Sequence, residues 1–395
     1  MGNTQWKGFV LAFVVSAQCA VADYIVVKRA APIKNGPSAA ADAVARVGSG
    51  QILELKDDRL SGNYVSVRSA GGVSGWIYKG FVDRHRGSAP PPAAAASETL
   101  KVRVFDVGQG DAILITCPDG DHQMLIDTGD TRYPGAAQAF KNAITEHLRP
   151  ADTLEIAVGT HPHSDHIGSM DWLLRTRRPA LYIDCGKPAT SATFKRVEAA
   201  IAETGVLRRS ANTLTLVDVD FCPRADVSAV LLRPAGFGAE DDPNDNSVVV
   251  RVNYFEDSFL FVGDTEAGLE RQLLDDPATK GLLDCDFLKV GHHGSETSST
   301  KEFLDAVTPR IAAISAGRPG VSTNAGYRHP RRRTVDRLAL YLEPDPTPER
   351  PLTVYDSAQS RWLSVPLDVR LYSTSRDGDL LFESNGDGIV CRTAR

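Results

Sequence analysis

Four side chains that can bind a metal ion lie within six consecutive residues, in the segment HPHSDH. They are His161, His163, Asp165 and His166, and they follow a short apolar run at 154–158 that is typical of a buried strand. Because alternate side chains of an extended segment point the same way, His161, His163 and Asp165 would share one side of the loop. A helix beginning near Asp165 would bring His166 beside that carboxylate. The pattern predicts two imidazoles for one cation, and a carboxylate with an imidazole for a second.

The ligand types indicate which cations fit. Imidazole and carboxylate groups suit zinc, manganese or iron better than calcium or magnesium. A polar surface loop is the alternative, but the chain has nine histidines in 395 residues and three of them lie in this one loop. Residue type and spacing together therefore favour a metal centre.

HPHSDH resembles the HxHxDH motif of the metallo-β-lactamase superfamily. Five more segments resemble motifs of its ComEC-like branch and occur in the family's order: FDVGQGDA at 105–112, LIDTGD at 125–130, NDNS at 244–247, FVGDTE at 261–266 and LKVGHHGS at 288–295. The resemblance covers about residues 100–335. It implies an α/β fold, a four-layer αβ/βα sandwich of two sheets with helices outside and two divalent metal ions at one edge.

The resemblance also implies the remaining metal ligands. Asp264 would bridge both cations, where an anion offsets the repulsion between them; capping the following helix is the alternative role. One of His292 and His293 would bind the second cation together with Asp165 and His166, and His293 is the favoured one. The other histidine would orient a ligand or face the substrate.

Four polar residues are expected to support the site. By resemblance, Asp127 at the end of a strand would orient a ligand, unless it only caps a turn. Asn244 and Asn246 could hold an oxyanion or shape the pocket, and turn formation explains them equally well. Ser295 could hydrogen-bond an anionic group or cap the helix expected after residue 300.

His329 lies in a His-Pro pair that resembles a late motif of the ComEC-like branch. With a pKa near neutral it could donate a proton to a leaving group or grip a phosphate, so we expect it to be catalytic together with Asp165. Arg328 begins the densest basic cluster, which also holds arginines at 331, 332, 333 and 337. Guanidinium groups suit phosphate oxygens. A solvated helix N-terminus is the alternative, although the helix dipole opposes arginines there.

The sequence departs from the superfamily pattern in one respect. Many members have a third histidine on the first cation, between the HxHxDH loop and the bridging aspartate, but residues 168–263 contain no histidine. The first cation would be held by His161, His163 and Asp264, with water or substrate completing its coordination. We therefore expect weaker binding there, and zinc or manganese rather than two tightly held zinc ions.

Changes in sequence pattern divide the chain. Residues 1–22, a lysine followed by an apolar stretch and small residues, are predicted to be a secretory signal peptide. Residues 23–86 predict a small all-β barrel, in which GWIYKGFV resembles the closing strand of bacterial SH3-like domains. Residues 87–98, GSAPPPAAAASE, predict a semi-extended linker. Residues 99–395 would form the hydrolase domain, with 351–395 supplying edge strands that close the second sheet.

Composition and signal peptide predict where the protein acts. The signal peptide predicts a periplasmic or secreted protein, and the expected mature chain has no transmembrane segment. A formal charge of −6 argues against broad electrostatic affinity for nucleic acid. Five cysteines would remain after cleavage, so at least one stays unpaired even where disulfides form.

The predicted function is a phosphodiesterase or nuclease acting on a phosphoester or nucleic-acid-like substrate. Two divalent cations would activate a bridging water and polarise the attacked centre, and the ComEC-like features and the arginine cluster favour phosphate. A lactam or other amide or ester hydrolase is the alternative. A non-enzymatic alternative is a cell-wall binding protein with an inactive metal domain; the intact ligand set argues against inactivity. In its SH3-like unit, Trp76, Tyr78 and Tyr64 could line a peptide-binding groove, or Trp76 could simply form the core of the barrel.

Overall fold

The computed structural model describes residues 24–28, 31–38, 41–47, 52–57, 60–69, 73–85, 99–148, 153–211, 217–233, 242–345 and 350–393. The expected signal peptide at 1–22 and the expected linker at 87–98 lie outside these residues. The chain divides into two compact units, Met1–Ala94 and Ala95–Arg395. Each unit is described by itself below.

The described part of the N-terminal unit is all-β. Its strands are β1 (Tyr24–Val27), β2 (Ala31–Lys34), β3 (Ala43–Val47), β4 (Ile52–Leu55), β5 (Tyr64–Arg68), β6 (Ser74–Tyr78) and β7 (Val82–His85). They pair antiparallel in the order β3-β2-β6-β5-β4-β1-β7. Alternate residues such as Ile25, Val67 and Ile77 are buried, as the period of a strand requires. Ile77 rather than Trp76 lies in the core, and Trp76 is half-buried.

Two sheets dominate the C-terminal unit. Its strands are β8 (Leu100–Val104), β9 (Ile113–Thr116), β10 (His122–Ile126), β11 (Thr153–Gly159), β12 (Leu181–Asp184), β13 (Arg208–Ser210), β14 (Val217–Asp218), β15 (Val227–Leu232), β16 (Val249–Tyr254), β17 (Asp257–Phe261), β18 (Phe287–Lys289), β19 (Ile311–Ile314), β20 (Leu352–Asp356), β21 (Arg361–Val365), β22 (Leu371–Ser373), β23 (Leu380–Ser384) and β24 (Ile389–Thr393). In the described residues the first sheet has the order β13-β12-β11-β10-β9-β8-β23-β24, and the second β14-β15-β16-β17-β18-β19-β22.

Helices cover the outer faces of the two sheets. They are α1 (Ala136–His147), α2 (Ser164–Ile167), α3 (Met170–Arg177), α4 (Ala192–Thr204), α5 (Ala267–Asp275), α6 (Pro277–Lys280), α7 (Lys301–Val307), α8 (Asn324–Tyr327), α9 (Arg332–Leu338) and α10 (Thr374–Asp377). None of the helices in the described part of the chain combines the length and the apolar character needed to cross a lipid bilayer.

The central strands are buried on both faces, which explains their nearly continuous apolar sequences. In β10, Met124 and Ile126 belong to the core between the sheets, whereas Leu125 packs on the other side with residues of α1, α3 and α4. Phe259 and Phe287 of the second sheet enter the same inter-sheet core. The expected four-layer αβ/βα sandwich is confirmed.

The C-terminal strands depart from the expectation that residues 351–395 close the second sheet. Only β22 does so, by pairing with β19. The β23–β24 hairpin instead pairs with β8 of the first sheet, through β23. It covers the side of β8 opposite β9, which would otherwise be an unpaired sheet edge. Strands β20 and β21 pair with each other outside both sheets.

Strand direction fixes where functional loops can lie. Strands β10 to β13 run parallel, as do β17, β18, β19 and β22. Strand β8 runs in the same direction as β10, because both are antiparallel to β9. The loops after β8, β10 and β11 therefore leave one edge of the first sheet, and those after β17, β18 and β19 leave one edge of the second. Ligand sites of α/β proteins form at such carboxyl ends.

A disulfide joins the two sheets. Cys117 directly follows β9, Cys222 lies between β14 and β15, and their Cα atoms are 5.6 Å apart. The bond closes a long loop, with a sequence separation of 105 residues. In the described residues Cys185, Cys285 and Cys391 are free thiols.

We predict that the Cys117→Ala/Cys222→Ala double variant has a free energy of unfolding lower by about 2–4 kcal/mol, because the disulfide restricts the unfolded chain. Denaturant unfolding of the full chain measures this difference. The control is Cys185→Ala/Cys285→Ala, which removes two buried sulfur atoms without removing a cross-link. Equal losses for the two double variants would contradict the prediction.

Candidate metal centre

Loops from both sheets bring the expected ligands to one place. His161 and His163 follow β11, Asp165 and His166 lie in the short helix α2, and Asp264 follows β17. The last expected ligand, His293, lies in a 3₁₀ turn at Gly291–Gly294 directly after β18. All six side chains thus leave carboxyl ends of strands, as strand direction requires.

Asp165, His166, Asp264 and His293 form one tight group, with one ligand atom of each lying within 4.8 Å of the others. Asp264 Oδ2 is 3.1 Å from His166 Nε2 and 3.4 Å from His293 Nε2. His293 Nε2 is also 3.7 Å from Asp165 Oδ2. Two imidazoles and two carboxylates at such distances can surround one cation.

His161 and His163 form a second group beside the first. His161 Nε2 lies 3.0 Å from His163 Nδ1, so both rings can turn ligand atoms toward a common point. His161 Nε2 is 4.0 Å from Asp264 Oδ2. Asp264 therefore lies between the two groups, in the position of a bridging anion. In the described residues 168–211, 217–233 and 242–263 no third histidine joins this pair, as the sequence requires.

Unsatisfied polar atoms show that this donor set fits a metal ion. His166 Nε2, His293 Nε2 and Asp264 Oδ1 are buried and have no hydrogen-bond partner. A buried polar atom without a partner costs about 1–3 kcal/mol, so it calls for an explanation. A divalent cation between these atoms would satisfy all three at once.

The four expected histidine ligands fall into two pairs whose pKa values are shifted in opposite directions. Burial lowers the pKa of His166 and of His293, but the neighbouring carboxylates together outweigh it and raise both values well above the ordinary one. Asp264 acts on both rings, Asp127 also on His166, and Asp111 and Asp165 also on His293. Burial, together with the charge of His166, lowers the pKa of His161 well below its usual value, and burial also lowers the pKa of His163. His161 and His163 are therefore neutral near pH 7, the state in which imidazole binds metal.

Asp127 contacts His166, one of the expected ligands. It accepts hydrogen bonds from Thr160 N at 2.8 Å, from Thr160 Oγ1 at 2.7 Å and from His166 Nδ1 at 2.7 Å. These bonds fix the His166 ring with Nε2 toward Asp264. The backbone of Asp127 is left-handed, with φ 60°, a conformation that aspartate tolerates better than most residues.

A buried ion pair that the sequence did not reveal lies beside His293. Lys289 Nζ donates to Asp111 Oδ2 at 2.6 Å, and both side chains are almost fully buried. Asp111 Oδ1 is 3.5 Å from His293 Nδ1, which donates to the Ser315 carbonyl at 2.8 Å. Both charged residues belong to segments that resemble family motifs, FDVGQGDA and LKVGHHGS, but nothing local indicates that they pair.

His292 faces the same centre from the other side. Its Nδ1 lies 2.6 Å from Glu266 Oε1, and its Nε2 lies 3.8 Å from Asp264 Oδ2. His292 and His293 both have left-handed backbones, with φ 43° and 53°. With this backbone, both adjacent rings reach Asp264 Oδ2, His292 Nε2 at 3.8 Å and His293 Nε2 at 3.4 Å.

The centre opens into a cavity of about 410 Å³. The residues that line it are Gln109, Arg132, His163, Ser164, Asp165, Asn244, Asp264, His292, His293, Gly326, Tyr327, His329 and Arg331. Arg331 belongs to the basic cluster that the sequence singled out. Gln109, Arg132 and Tyr327 were not among the site residues expected from sequence, because nothing in the local pattern indicates that they reach the metal centre.

The expected ligands His161 and His166 and their neighbour Asp127 are buried and do not line this cavity. Three other residues expected in the site do not line it either. Arg328 donates from Nη1 to the Tyr355 hydroxyl at 2.9 Å and stacks on the Tyr355 ring, whereas Arg331 and Arg132 are the arginines that line the cavity. Asn246 donates to the Asp242 carbonyl at 2.7 Å. Ser295 pairs with Thr297, and Thr300 rather than Ser295 caps α7.

His329 lines the cavity but does not fit the expected role of proton donor. Burial lowers its pKa well below the ordinary value, and the nearby His293 and His292 lower it further. The ring is therefore uncharged near neutral pH. It can form hydrogen bonds with a ligand, but it holds no extra proton to transfer.

Comparisons with known proteins agree with this geometry. Residues 105–318 match the metallo-beta-lactamase superfamily. The chain is 28% identical over 255 residues to ComE operon protein 3 of Bacillus subtilis, covering 60% of this chain and 30% of that protein. It is 30% identical over 252 residues to competence protein ComA of Neisseria gonorrhoeae, covering 63% and 31%. The chain thus spans less than a third of the length of these relatives.

Among solved structures, the metallo-beta-lactamase fold protein YhfI from Bacillus subtilis matches with a TM-score of 0.40 and 8% sequence identity, over 72% of this chain and 100% of that one. The superfamily match covers more than half of the 395 residues and includes every ligand described above. This chain therefore belongs to the metallo-beta-lactamase superfamily, and it is similar to competence proteins of the ComE and ComEC type.

Proposed function

We propose that this protein is a binuclear metal-dependent hydrolase of phosphodiesters, including nucleic-acid-like substrates. The observation that carries the proposal is the convergence of two ligand groups on one shared carboxylate, Asp264, at the bottom of an open cavity. His161 and His163 would hold one cation, and Asp165, His166 and His293 the other. Two bound divalent cations, zinc or manganese, would supply activation of water and polarisation of the substrate.

The cavity wall supports a phosphoester over a lactam. Arg132 lines the cavity with its guanidinium held by bonds from Nε to both Asp130 oxygens, at 3.1 and 3.2 Å. Arg331 also lines it and donates from Nη2 to the Tyr327 carbonyl at 2.8 Å. Two preorganised guanidinium groups beside a metal centre suit the several oxygens of a phosphodiester. The ComEC-like resemblance supports the same substrate class.

Other residues of this chain would orient the ligands and form hydrogen bonds with the substrate. Asp127 fixes His166, and the Ser315 carbonyl fixes His293, so both ligand rings are oriented before substrate enters. Asn244, which lines the cavity, can donate to a substrate oxygen. His329 would hydrogen-bond the substrate as a neutral ring.

We also propose that the protein acts in the periplasm or outside the cell. The Cys117–Cys222 disulfide supports this location, because such bonds persist in oxidising compartments. The sequence of residues 1–22 supports it as well.

For the N-terminal unit we propose an SH3-like domain that binds cell-wall peptide. An aromatic cluster supports this role: Tyr78 makes edge contacts with Tyr64 at 5.7 Å and with Phe81 at 5.3 Å between ring centroids. Tyr78 is exposed, so the cluster is open to a ligand. Aromatic surfaces of this kind are common at binding sites because they are apolar and also carry a polar group.

We predict that His163→Ala lowers turnover of bis-p-nitrophenyl phosphate by about a hundredfold or more, because one cation loses a ligand. Turnover is measured with added manganese and with added zinc. The matched control is His122→Ala, which removes a histidine bonded to Asp119 outside the cavity and should leave turnover unchanged. Nitrocefin hydrolysis without phosphodiester hydrolysis would favour a lactamase, and unchanged turnover in His163→Ala would refute the site.

We predict that metal affinity rises with pH between about 6 and 8. Against the effect of burial, the surrounding carboxylates, Asp264 foremost, raise the pKa of His166 and His293. Protons therefore occupy these rings in the metal-free protein, and metal must displace them. Each proton released contributes up to about tenfold per pH unit. Calorimetric titration with zinc, in buffers of different ionisation enthalpy, measures affinity and proton release together. An affinity that is independent of pH would contradict this reading of the charges.

We predict that Tyr78→Ser lowers cosedimentation of the full chain with insoluble peptidoglycan by about tenfold, while phosphodiester turnover stays unchanged, because the aromatic contact area is lost. Val73→Ser, another exposed apolar position in this unit, is the control. Equal retention of wild type and Tyr78→Ser would show that the aromatic cluster does not bind the cell wall.

A further inference from the structure

Gln109 is a fully buried polar side chain in the cavity wall, in the loop between β8 and β9. Both ends of its amide are engaged. Oε1 accepts from the Gly317 backbone N at 3.1 Å, and Nε2 lies 3.4 Å from His329 Nδ1. Because Gly317 N–H can only donate, the amide oxygen must face it, and the amide nitrogen must face His329.

This orientation decides where the hydrogen of His329 lies. An amide nitrogen is only a donor, so Nδ1 of the neutral ring must be the acceptor. The ring hydrogen is then on Nε2, the nitrogen that remains for a ligand in the cavity. The His329 backbone is held as well: its N donates to Asn324 Oδ1 at 2.7 Å, and its carbonyl accepts from Asn324 Nδ2 at 2.8 Å.

We propose that Gln109 is a positioning residue that keeps His329 in the Nε2–H form, so that this N–H donates to the substrate oxygen on which negative charge develops. The inference rests on the proposed function of this site. It gives His329 a role that needs no proton transfer: a fixed donor aimed at an oxyanion stabilises the transition state more than the ground state. The ring lies beside the metal centre, with its centroid 6.2 Å from that of the expected ligand His293 and 5.2 Å from that of His292.

The choice of glutamine over glutamate follows from the same bonds. Either side chain could accept from Gly317 N–H, but only glutamine can donate to Nδ1. Glutamate, of nearly the same shape, would accept from Nδ1–H and draw the ring hydrogen to that nitrogen. Gln109→Glu is therefore a substitution that alters the hydrogen position with little change in packing.

The hydrogen position can be measured without turnover. Long-range ¹H–¹⁵N correlation spectra of the zinc-loaded full chain, labelled at histidine, distinguish a protonated ring nitrogen from a bare one, and the His329→Ala spectrum identifies the His329 signals. We expect wild-type His329 to carry hydrogen on Nε2 only, and Gln109→Glu to show hydrogen on Nδ1. A wild-type ring with hydrogen on Nδ1 would overturn the proposal, whether or not the protein is a phosphodiesterase.

Kinetics test the consequence. On bis-p-nitrophenyl phosphate we expect His329→Ala to lower kcat on the order of a hundredfold and Gln109→Ala about tenfold, both with KM within about twofold, because one oriented donor is lost or loosened. In the His329→Ala background, Gln109→Ala should change kcat less than about twofold, since Gln109 acts only through that ring. Full additivity of the two losses in kcat would overturn the proposal. If the wild-type spectra show hydrogen on Nε2 of His329 but the chain has no phosphodiester turnover, the result would count against the proposed function alone.

Discussion

One oxygen of a single buried carboxylate, Asp264 Oδ2, lies within 4.0 Å of a ring nitrogen of four histidines. These are His161, His166, His292 and His293, at 4.0, 3.1, 3.8 and 3.4 Å. Burying an anion is costly unless positive charge lies close by, so the carboxylate and the rings require one another. Protons on His166 and His293 can supply that charge, and divalent cations would supply it instead. The negative charge of Asp264 is therefore balanced by groups that come from loops of both sheets.

Rigid parts of the fold hold these charged groups in place. The loops leave strands that are buried on both faces, and a second buried pair, Lys289 with Asp111, ties the end of β18 to the loop after β8. Asp111 thereby links the two sheets. Its side chain pairs with Lys289 of the second sheet, and its backbone N donates to the carbonyl of Asp165, in a loop of the first sheet, at 3.2 Å. At Gly110, a Cβ atom would come within 2.3 Å of that same carbonyl. Close packing of these two loops therefore requires glycine at position 110.

Local patterns predicted what depends on local geometry. The spacing within HPHSDH was enough to predict a metal centre, and apolar runs were enough to predict the strands that carry it. Roles that depend on distant partners were missed or misassigned. Gln109, which contacts Gly317, was not predicted, and Arg328, which was expected in the site, stacks on Tyr355, 27 residues away. The Cys117–Cys222 pairing was equally beyond local patterns, because its two thiols are brought together only when the sheets pack.

The left-handed backbone at His293 restricts which residues could replace this histidine in an engineered variant. Asparagine and aspartate adopt positive φ more readily than other residues with a side chain, whereas β-branched residues strongly resist it. An oxygen ligand could therefore replace this imidazole with little backbone cost, and it would move the preference toward harder cations such as magnesium or manganese. The metal preference of the centre could thus be changed by a substitution at this one position, because the turn already has the backbone conformation that asparagine and aspartate tolerate.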